Sequence, residues 1–208
     1  MNNVNVINNA EKDIDITVNN SNGKIEIVID LKNKNFKLPN NLKAGDIFRC
    51  KEGEEYILLY FMPNGDAVVL KKNSLKSMKF GFNNNYSGCD IDKYLCEEYI
   101  SELERKFGKE NIVEHEVYLL SFDGEDDYGK ITRKVSILTL DEYRHNKKTI
   151  KNYINEGEWL CTPDSTPSCY GSDYVLYVNS IGYVGYDWYY YDWAVRPRFV
   201  LSSSIFES

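Results

Sequence analysis

The stretch YGSDYVLYVNSIGYVGYDWYYYDW, residues 170–193, decides how this chain is interpreted. It holds eight Tyr and two Trp among Gly, Ser, Asn and Asp, a composition that combines large, rigid contact areas with adaptable hydrogen-bonding groups. Val175, Val178 and Val184 indicate short strands with an inward face. Three consecutive Tyr at 189–191 cannot all point inward, so we expect part of the segment to form a recognition surface. Packing of all these rings in a core is the alternative.

Two helices are predicted on the amino-terminal side of this stretch. Residues 90–107 carry an apolar side chain at every fourth position, and Gly108 stands where a helix often ends. Thr139 and Glu142 fit a capping box, which opens a second helix that runs to about Ile154.

Short β segments surround the predicted helices. The turn residues Pro63–Asp66 favour a β-meander, and residues 122–134 are predicted to form an acidic, glycine-containing loop. Because β and α elements follow one another without regular alternation, the sequence predicts the α+β class. The predicted strands are 47–50, 56–61, 67–70, 117–121 and 159–161, followed by further short strands up to Leu201.

The amino-terminal 35 residues differ in composition from the rest of the chain. Twelve Asn fall within the first 41 residues, yet apolar residues alternate over 14–18 and over 25–29, with a turn at 19–23 that ends in Asn-Gly. This pattern predicts a β-hairpin. A lone hairpin is marginally stable in water, so residues 1–35 are interpreted as an attachment arm and 36–208 as the main domain.

Charge and hydropathy exclude several partners. The net charge is −7, and the part from Glu156 to Ser208 holds seven acidic but only two basic residues, so a nucleic acid is not expected as a partner. No apolar run reaches the roughly 20 residues that a membrane span requires. The amino terminus also lacks the basic start and apolar stretch of a signal peptide. We therefore expect no membrane insertion and no signal peptide.

Residues suited to catalysis or metal binding are sparse. HExxH, GxSxG and Gly-rich phosphate loops do not occur. Glu114 and Glu116 flank His115 at strand spacing, and the DGEDD run at 123–127 offers oxygen ligands, but a solvated edge and a solvated loop are the favoured interpretations over metal sites. We expect no catalytic residue, no metal and no cofactor.

The five cysteines lack the paired CxxC spacing of zinc sites and are interpreted as free thiols in a reduced compartment. Whether Cys161 and Cys169 pair is left open by the sequence. An enzyme that uses one of these two thiols with oxygen or a copper ion is the least favoured alternative.

Four short motifs occur in order along the chain. The residues that form them are Tyr86-Ser87, Ile91, Tyr94-Leu95, Val117-Tyr118-Leu119-Leu120-Ser121, Trp159-Leu160-Cys161-Thr162-Pro163 and Ala194-Val195-Arg196-Pro197. In this order they resemble an uncharacterised domain family of Firmicutes and their phages. Its landmarks are W-x-S-x-I-x-x-x-L, V-F-L-L-S, W-W-L-R-[ST]-P and G-V-R-P-A-L, and the match spans about Gly45 to Leu201. Tyr86 replaces the usual Trp, Glu158 and Cys161 replace Trp and Arg, and Ala194 replaces Gly.

The closing segment also resembles the C-type-lectin-like variable domains of phage tropism determinants, whose fold is shared with formylglycine-generating enzymes. This resemblance implies a non-catalytic virion protein that is assembled in the bacterial cytoplasm and binds a carbohydrate or protein receptor on the host surface. The arm would attach to other virion proteins, and a homo-oligomer such as a trimer is an open alternative to a monomer. A capsid or tail decoration protein is the second interpretation.

Residue roles follow from this interpretation. Arg196 and Pro197 are expected to be structural together with Trp159, with the Arg196 guanidinium bound by a carboxylate or by backbone carbonyls. The candidate ligand-contacting residues are Tyr177, Asn179, Tyr186, Asp187, Trp188, Tyr189, Tyr190, Tyr191, Asp192 and Trp193.

Overall fold

The computed structural model describes residues 12–21, 24–33 and 36–207, which contain helices and several β-sheets in an α+β architecture. Residue contacts divide the chain into two compact units, Met1–Phe36 and Lys37–Ser208. None of the described helices has the length and apolar character that crossing a bilayer requires. In chain order the strands are β1 Lys12–Ser21, β2 Lys24–Asn33, β3 Ile47–Arg49, β4 Glu55–Phe61, β5 Ala67–Lys71, β6 Ser77–Lys79, β7 Ile112–Val113, β8 His115–Tyr118, β9 Lys130–Arg133, β10 Val135–Ser136, β11 Glu158–Pro163, β12 Tyr174–Val178, β13 Val184–Trp188, β14 Asp192–Ala194 and β15 Arg198–Leu201.

The first unit contains the antiparallel pair β1 and β2, in which Ile16 lies opposite Ile29. The apolar alternation predicted this pairing, but the ladder is longer than predicted because the backbones of Asn19 and Asn20 also pair across it, as far as Ser21. The remaining residues of the predicted arm, 1–11, 22–23 and 34–35, lie outside the described part of the chain.

A six-stranded sheet begins the second unit, with the order β10-β15-β5-β4-β3 and β7 also paired to β15. The predicted β-meander is confirmed, since β3, β4 and β5 are neighbours joined antiparallel. Between β4 and β5, the amide of Asn64 donates to the carboxylate of Asp66, and Gly65 adopts a φ of 86°. Only a residue without a Cβ adopts this φ at no cost, so the turn sequence fixes the reversal.

The predicted helix at 90–107 is confirmed, although it is not α-helical throughout. It consists of α1 at Asp90–Lys93, a π-helical segment at Tyr94–Tyr99 and α2 at Ile100–Phe107. The Cys89 thiol accepts the Asp92 N–H at the start, and Gly108, with a φ of 88°, ends it.

The second predicted helix, α3 at Leu140–Ile150, begins with the capping box of Thr139 and Glu142. A short 3₁₀ turn, Lys151–Tyr153, extends it almost to the predicted end at Ile154.

Two predictions between the two long helices differ from the structure. The strand predicted at 117–121 lies instead at His115–Tyr118, and the predicted loop 122–134 contains β9, which pairs antiparallel with β8. Lys130, Thr132 and the other β9 residues are exposed or half-buried, so this strand lacks the apolar pattern by which strands are recognised in a sequence.

The five-stranded sheet has the order β13-β12-β11-β14-β6. Only the β11–β14 pair is parallel among its pairings. The main core lies where one face of this sheet, α3 and the six-stranded sheet meet. It includes Ile57, Leu59, Val68, Leu70, Leu138, Leu140, Tyr143, Ile150, Ile154, Leu160, Leu176, Val178 and Val200.

Candidate functional site

The residues of the 170–193 stretch are divided between the two faces of the five-stranded sheet. Successive side chains of a strand point to opposite faces, so Tyr174 and Tyr177 of β12 lie on different sides. The register places Trp188 of β13 opposite Tyr174, and Trp159 of β11 opposite Tyr177. Each face therefore carries its own set of rings.

On one face the rings form a continuous surface that we call the aromatic ledge. The Tyr174 ring lies 5.3 Å from Tyr186 and 4.4 Å from Trp188, measured between centroids. Trp188 stacks on Tyr190 at 5.5 Å, and Tyr190 also contacts its neighbours on both sides in the sequence. Because β13 is an edge strand, the ledge lies at the border of the sheet. Its members are Tyr174, Tyr186, Trp188, Tyr189, Tyr190 and Tyr191.

On the other face the rings pack among themselves in what we call the aromatic cluster. Tyr177 and Trp193 stack with their centroids 4.3 Å apart and their planes 8° from parallel. Trp193 meets Trp159 edge to face, and Trp159 meets Phe80 in the same way. Phe80 also contacts Tyr86, so the cluster is Phe80, Tyr86, Trp159, Tyr177 and Trp193.

Of the ten predicted contact residues, some are exposed and the others are half-buried. Tyr186, Tyr190, Tyr191 and Asp192 are exposed. Tyr177 and Trp193 are half-buried in the cluster, and Asp187 accepts a hydrogen bond from the Trp193 indole at 3.0 Å. The side-chain oxygen of Asn179 accepts two backbone N–H groups of its own turn. Trp188 and Tyr189 are half-buried members of the ledge.

Some residues around the ledge were not among the predicted contacts. The N–H of Asn84 donates to the Ser172 carbonyl and that of Gly81 to the Tyr189 carbonyl, which brings the loop containing Phe82 to this region. Phe82 is 80% exposed. No local sequence signal could have found it, because it is far from the Tyr-rich stretch in the chain. Tyr174 and Tyr170 lie within that stretch and could have been found by the same reasoning.

A small cup of about 180 Å³ adjoins one end of the ledge. Tyr174 and Tyr186 of the ledge line it, together with Asp164, Asp173 and Tyr170. Asp164 is half-buried, and burial together with the nearby Asp123 carboxylate raises the pKa of its carboxyl. The cup therefore combines aromatic surface with two carboxylates that can accept hydrogen bonds.

Arg196 is almost fully buried and lies between β14 and β15 in the chain. Its Nε donates to the Lys71 carbonyl at 2.7 Å, and its Nη1 lies 3.2 Å from both carboxylate oxygens of Glu158. The guanidinium is thus bound both by a carboxylate and by a backbone carbonyl, the two kinds of partner that were expected for it, although the sequence did not indicate which residues supply them. Burial raises the pKa of Glu158 to about 7, against the opposing effect of Arg196. Pro197 is buried beside it, and the indole N–H of buried Trp159 donates to the Met78 carbonyl.

The residues considered for metal chemistry make other contacts. His115 is buried, with Nε2 3.2 Å from the Ser136 hydroxyl, and burial together with the Arg198 charge lowers its pKa to about 3. In the acidic loop, Asp123 accepts hydrogen bonds from Ser121 and Ser165, and Asp127 accepts from Ser168. Within the described ranges, no three His, Cys, Asp or Glu residues are grouped to hold a metal ion.

Cys161 and Cys169, whose pairing the sequence left open, are both free thiols. Cys161 is fully buried, and burial raises its pKa well above the usual value for a thiol, so it stays protonated. Cys169 is exposed.

The site thus defines an α+β protein with a partly exposed aromatic ledge at the edge of a five-stranded sheet. No protein-family model, no curated protein and no solved structure matches this chain.

Proposed function

We propose that this chain is a non-catalytic recognition protein of a phage or prophage virion. In this proposal residues 36–208 form a C-type-lectin-like domain, and the aromatic ledge binds a carbohydrate or protein receptor on the host surface. The observation that carries it is the continuous set of ring contacts in the ledge, which includes rings of the edge strand β13 and of the turn that follows it. Tyr186, Tyr190 and Tyr191 of this set are exposed, and its other members are half-buried.

The physical state of the ledge suits recognition. Tyr and Trp bury large areas at low entropy cost, and these rings already touch one another, so binding a partner immobilises little more. Tyr186, Tyr190 and Tyr191 are 43–61% exposed, so each offers aromatic surface to a partner. An apolar surface of this kind, bordered by polar groups such as Asp192, is typical of interaction sites.

The proposal assigns residues 1–35 to attachment on other virion proteins. The described strands β1 and β2 pair with one another, and a two-stranded hairpin gains stability when a further surface covers it. Trimerisation would also multiply weak receptor contacts into avidity. The same hairpin favours the second candidate function, a capsid or tail decoration protein, in which the chain grips virion subunits.

An oxygen- or copper-dependent enzyme is the third candidate and has the least support. Cys161 lies fully buried and protonated, whereas thiol chemistry and metal ligation use an accessible thiolate. Cys169 is exposed, but it belongs to no group of three His, Cys, Asp or Glu residues that could hold a copper ion in the described part of the chain. Replacing both Cys161 and Cys169 with Ser should leave partner binding unchanged. Loss of binding in that variant, with bound copper in the wild-type chain by elemental analysis, would support the enzyme instead.

The test of the recognition function uses the fluorescently labelled full chain and intact cells from a panel of Firmicutes strains. We expect binding to at least one strain, and we expect it to be lost when Tyr189, Tyr190 and Tyr191 are all replaced with Ala (the ledge variant). Tyr60→Ala is the matched control, since Tyr60 is also exposed but lies on β4 in the other sheet. Binding to no strain, or equal binding of the ledge variant, contradicts the proposal.

A second measurement separates the receptor role from decoration. The chain should be located in an electron-microscopy map of the particles that contain it. A position at the tail tip with the ledge directed outward agrees with receptor binding, whereas a position in which the ledge faces capsid or tail subunits agrees with decoration.

A further inference from the structure

We propose that the cup beside the ledge binds one uncharged hexopyranose unit of a carbohydrate chain. This inference rests on the proposed recognition function and assigns a ligand class and a location to it. It follows from the size of the cup, its aromatic walls, its two carboxylates and its rigid floor.

The cup has the size of a single sugar ring. Its volume of about 180 Å³ is below the roughly 300–1,000 Å³ of pockets that enclose drug-sized ligands. It opens beside Tyr186, the terminal ring of the ledge, so further units of the same carbohydrate chain can continue over Trp188 and Tyr190.

The walls of the cup offer the surface that a pyranose needs. A hexopyranose has an apolar face of C–H groups, and this face stacks on aromatic rings. Tyr174 and Tyr186 meet at 78°, so their rings form two sides of a corner. Tyr170, which is 92% exposed, stands at the rim as a third ring.

The cup contains two carboxylates, Asp164 and Asp173, that can accept hydrogen bonds from a ligand. No hydrogen bond to the half-buried carboxylate of Asp164 is found among the residues that the structure describes, and Asp173 beside it is exposed. Carboxylates form strong, short hydrogen bonds with hydroxyl donors, and neighbouring sugar hydroxyls supply two such donors. The same carboxylates repel uronic acids and other anionic sugars, which defines the class of ligand as uncharged.

The floor of the cup is held in place without a ligand. The side-chain amide of Asn84 donates to the carbonyls of Ser165 and Tyr174 at 2.8 and 3.0 Å. The hydroxyl of Tyr128 donates to the Asn84 oxygen, and that of Ser165 donates to Asp123 at 2.6 Å. Because these buried and half-buried bonds already fix both sides of the cup, binding costs little ordering of the protein.

The test measures the binding of defined oligosaccharides to the full chain by saturation-transfer NMR and calorimetry. The probes are cellotetraose, mannotetraose and tetra-N-acetylchitotetraose, with tetragalacturonate as the anionic comparison. We expect at least one uncharged probe to bind with a Kd of about 1 mM or tighter, and tetragalacturonate to bind at least tenfold more weakly.

The variants locate the binding. Asp164→Asn removes the negative charge without changing the shape, and Tyr186→Ala removes one wall. Each should weaken binding of the uncharged probe at least tenfold, while Tyr183→Ala, an equally exposed Tyr outside the cup, should leave it unchanged. A ¹H–¹⁵N spectrum of each variant checks that it is folded.

Three results overturn the inference. They are the absence of binding by all three uncharged probes at about 5 mM, equal binding of tetragalacturonate, and undiminished binding in either cup variant. If cell binding still depends on the ledge variant while the oligosaccharides fail, the cup proposal falls and the recognition function stands. If the ledge variant binds cells like the wild type, the recognition function itself falls.

Discussion

The aromatic ledge and the aromatic cluster come from the same Tyr-rich stretch but lie in different environments. Tyr174 and Tyr177 are only three residues apart, yet the first belongs to the surface ledge and the second stacks on Trp193. The composition of the stretch is the same for both. The difference teaches that strand register, and not residue type, decides which rings are available to a partner.

Two glycines show why the cluster rings pack so closely. A Cβ at Gly157 would overlap the ring of Trp193, and a Cβ at Gly185 would come within 3.0 Å of the ring of Tyr177. The backbone therefore serves as a flat surface for these rings. The exposed faces of Tyr186, Tyr190 and Tyr191 have no such cover.

The largest effect on stability is expected for Trp159→Ala. Trp159 is 1% exposed, contacts Phe80 and Trp193, and donates its indole N–H to the Met78 carbonyl. Truncating a buried Trp leaves a cavity and should lower the free energy of unfolding by about 4 kcal/mol. Urea denaturation, monitored by circular dichroism of the backbone so that the signal does not depend on tryptophan, measures this free energy of unfolding. A loss below about 1 kcal/mol would mean that the cluster is not a packed core.

The next largest effect is expected for Arg196→Met, which leaves Glu158 buried without its partner. Breaking a buried ion pair in this way should cost about 3 kcal/mol at pH 8. Burial holds the folded-state pKa of Glu158 at about 7, above its unfolded value. Stability is therefore lost as the pH rises from the unfolded pKa to the folded pKa of this carboxyl, and it is regained as the pH falls again. The loss in the variant should therefore be smaller at pH 6 than at pH 8, as measured by urea denaturation at each pH.

The matched control for this pair is the double variant Glu158→Leu with Arg196→Met. Because it removes both charges and keeps apolar volume, it should recover most of the lost stability. A loss that does not change with pH, or a double variant as unstable as the single one, would show that Arg196 stabilises the sheet through its Lys71 contact alone.

A smaller effect is expected for Gly157→Ala, which inserts one methyl group beneath Trp193. Overpacking of this kind should lower the free energy of unfolding by about 2 kcal/mol. Combining it with Trp193→Leu provides the room that the methyl needs, so the two losses should not add. Strict additivity in chemical denaturation would contradict the contact between Gly157 and the indole.

The sequence predicted the elements that have strong local patterns. Three such patterns depend only on neighbours in the chain, and each is present in the structure. They are the Thr139 and Glu142 capping box, the apolar side chain at every fourth position of the helix that ends at Gly108, and the Pro63–Asp66 turn. Strand β9 was missed because its exposed and half-buried residues give no apolar alternation. The C-type-lectin-like arrangement stays a prediction, since long-range strand order is not encoded in any local pattern.

The candidate site could be predicted only in part for the same reason. The Tyr-rich stretch indicated where exposed rings occur, but whether Tyr177 or Tyr186 faces outward depends on the strand that lies beside each. Phe82 and Asp164 join the region through hydrogen bonds of distant loops, such as that from Asn84 to the Ser165 carbonyl. Such contacts leave no trace in the composition of a segment.

The smallest effect on stability, and the sharpest test of the comparison, is expected for the ledge variant with Ala at Tyr189, Tyr190 and Tyr191. Tyr190 and Tyr191 are exposed and Tyr189 is half-buried, so the free energy of unfolding should fall by about 1 kcal/mol or less. Tyr177→Ala is the matched comparison, because it removes a single Tyr from the cluster face and should cost at least as much as all three. Thermal and urea denaturation measure both. A ledge variant that loses more than about 3 kcal/mol would show that these rings support the sheet, since rings that serve only a partner contribute little to the folded chain without it.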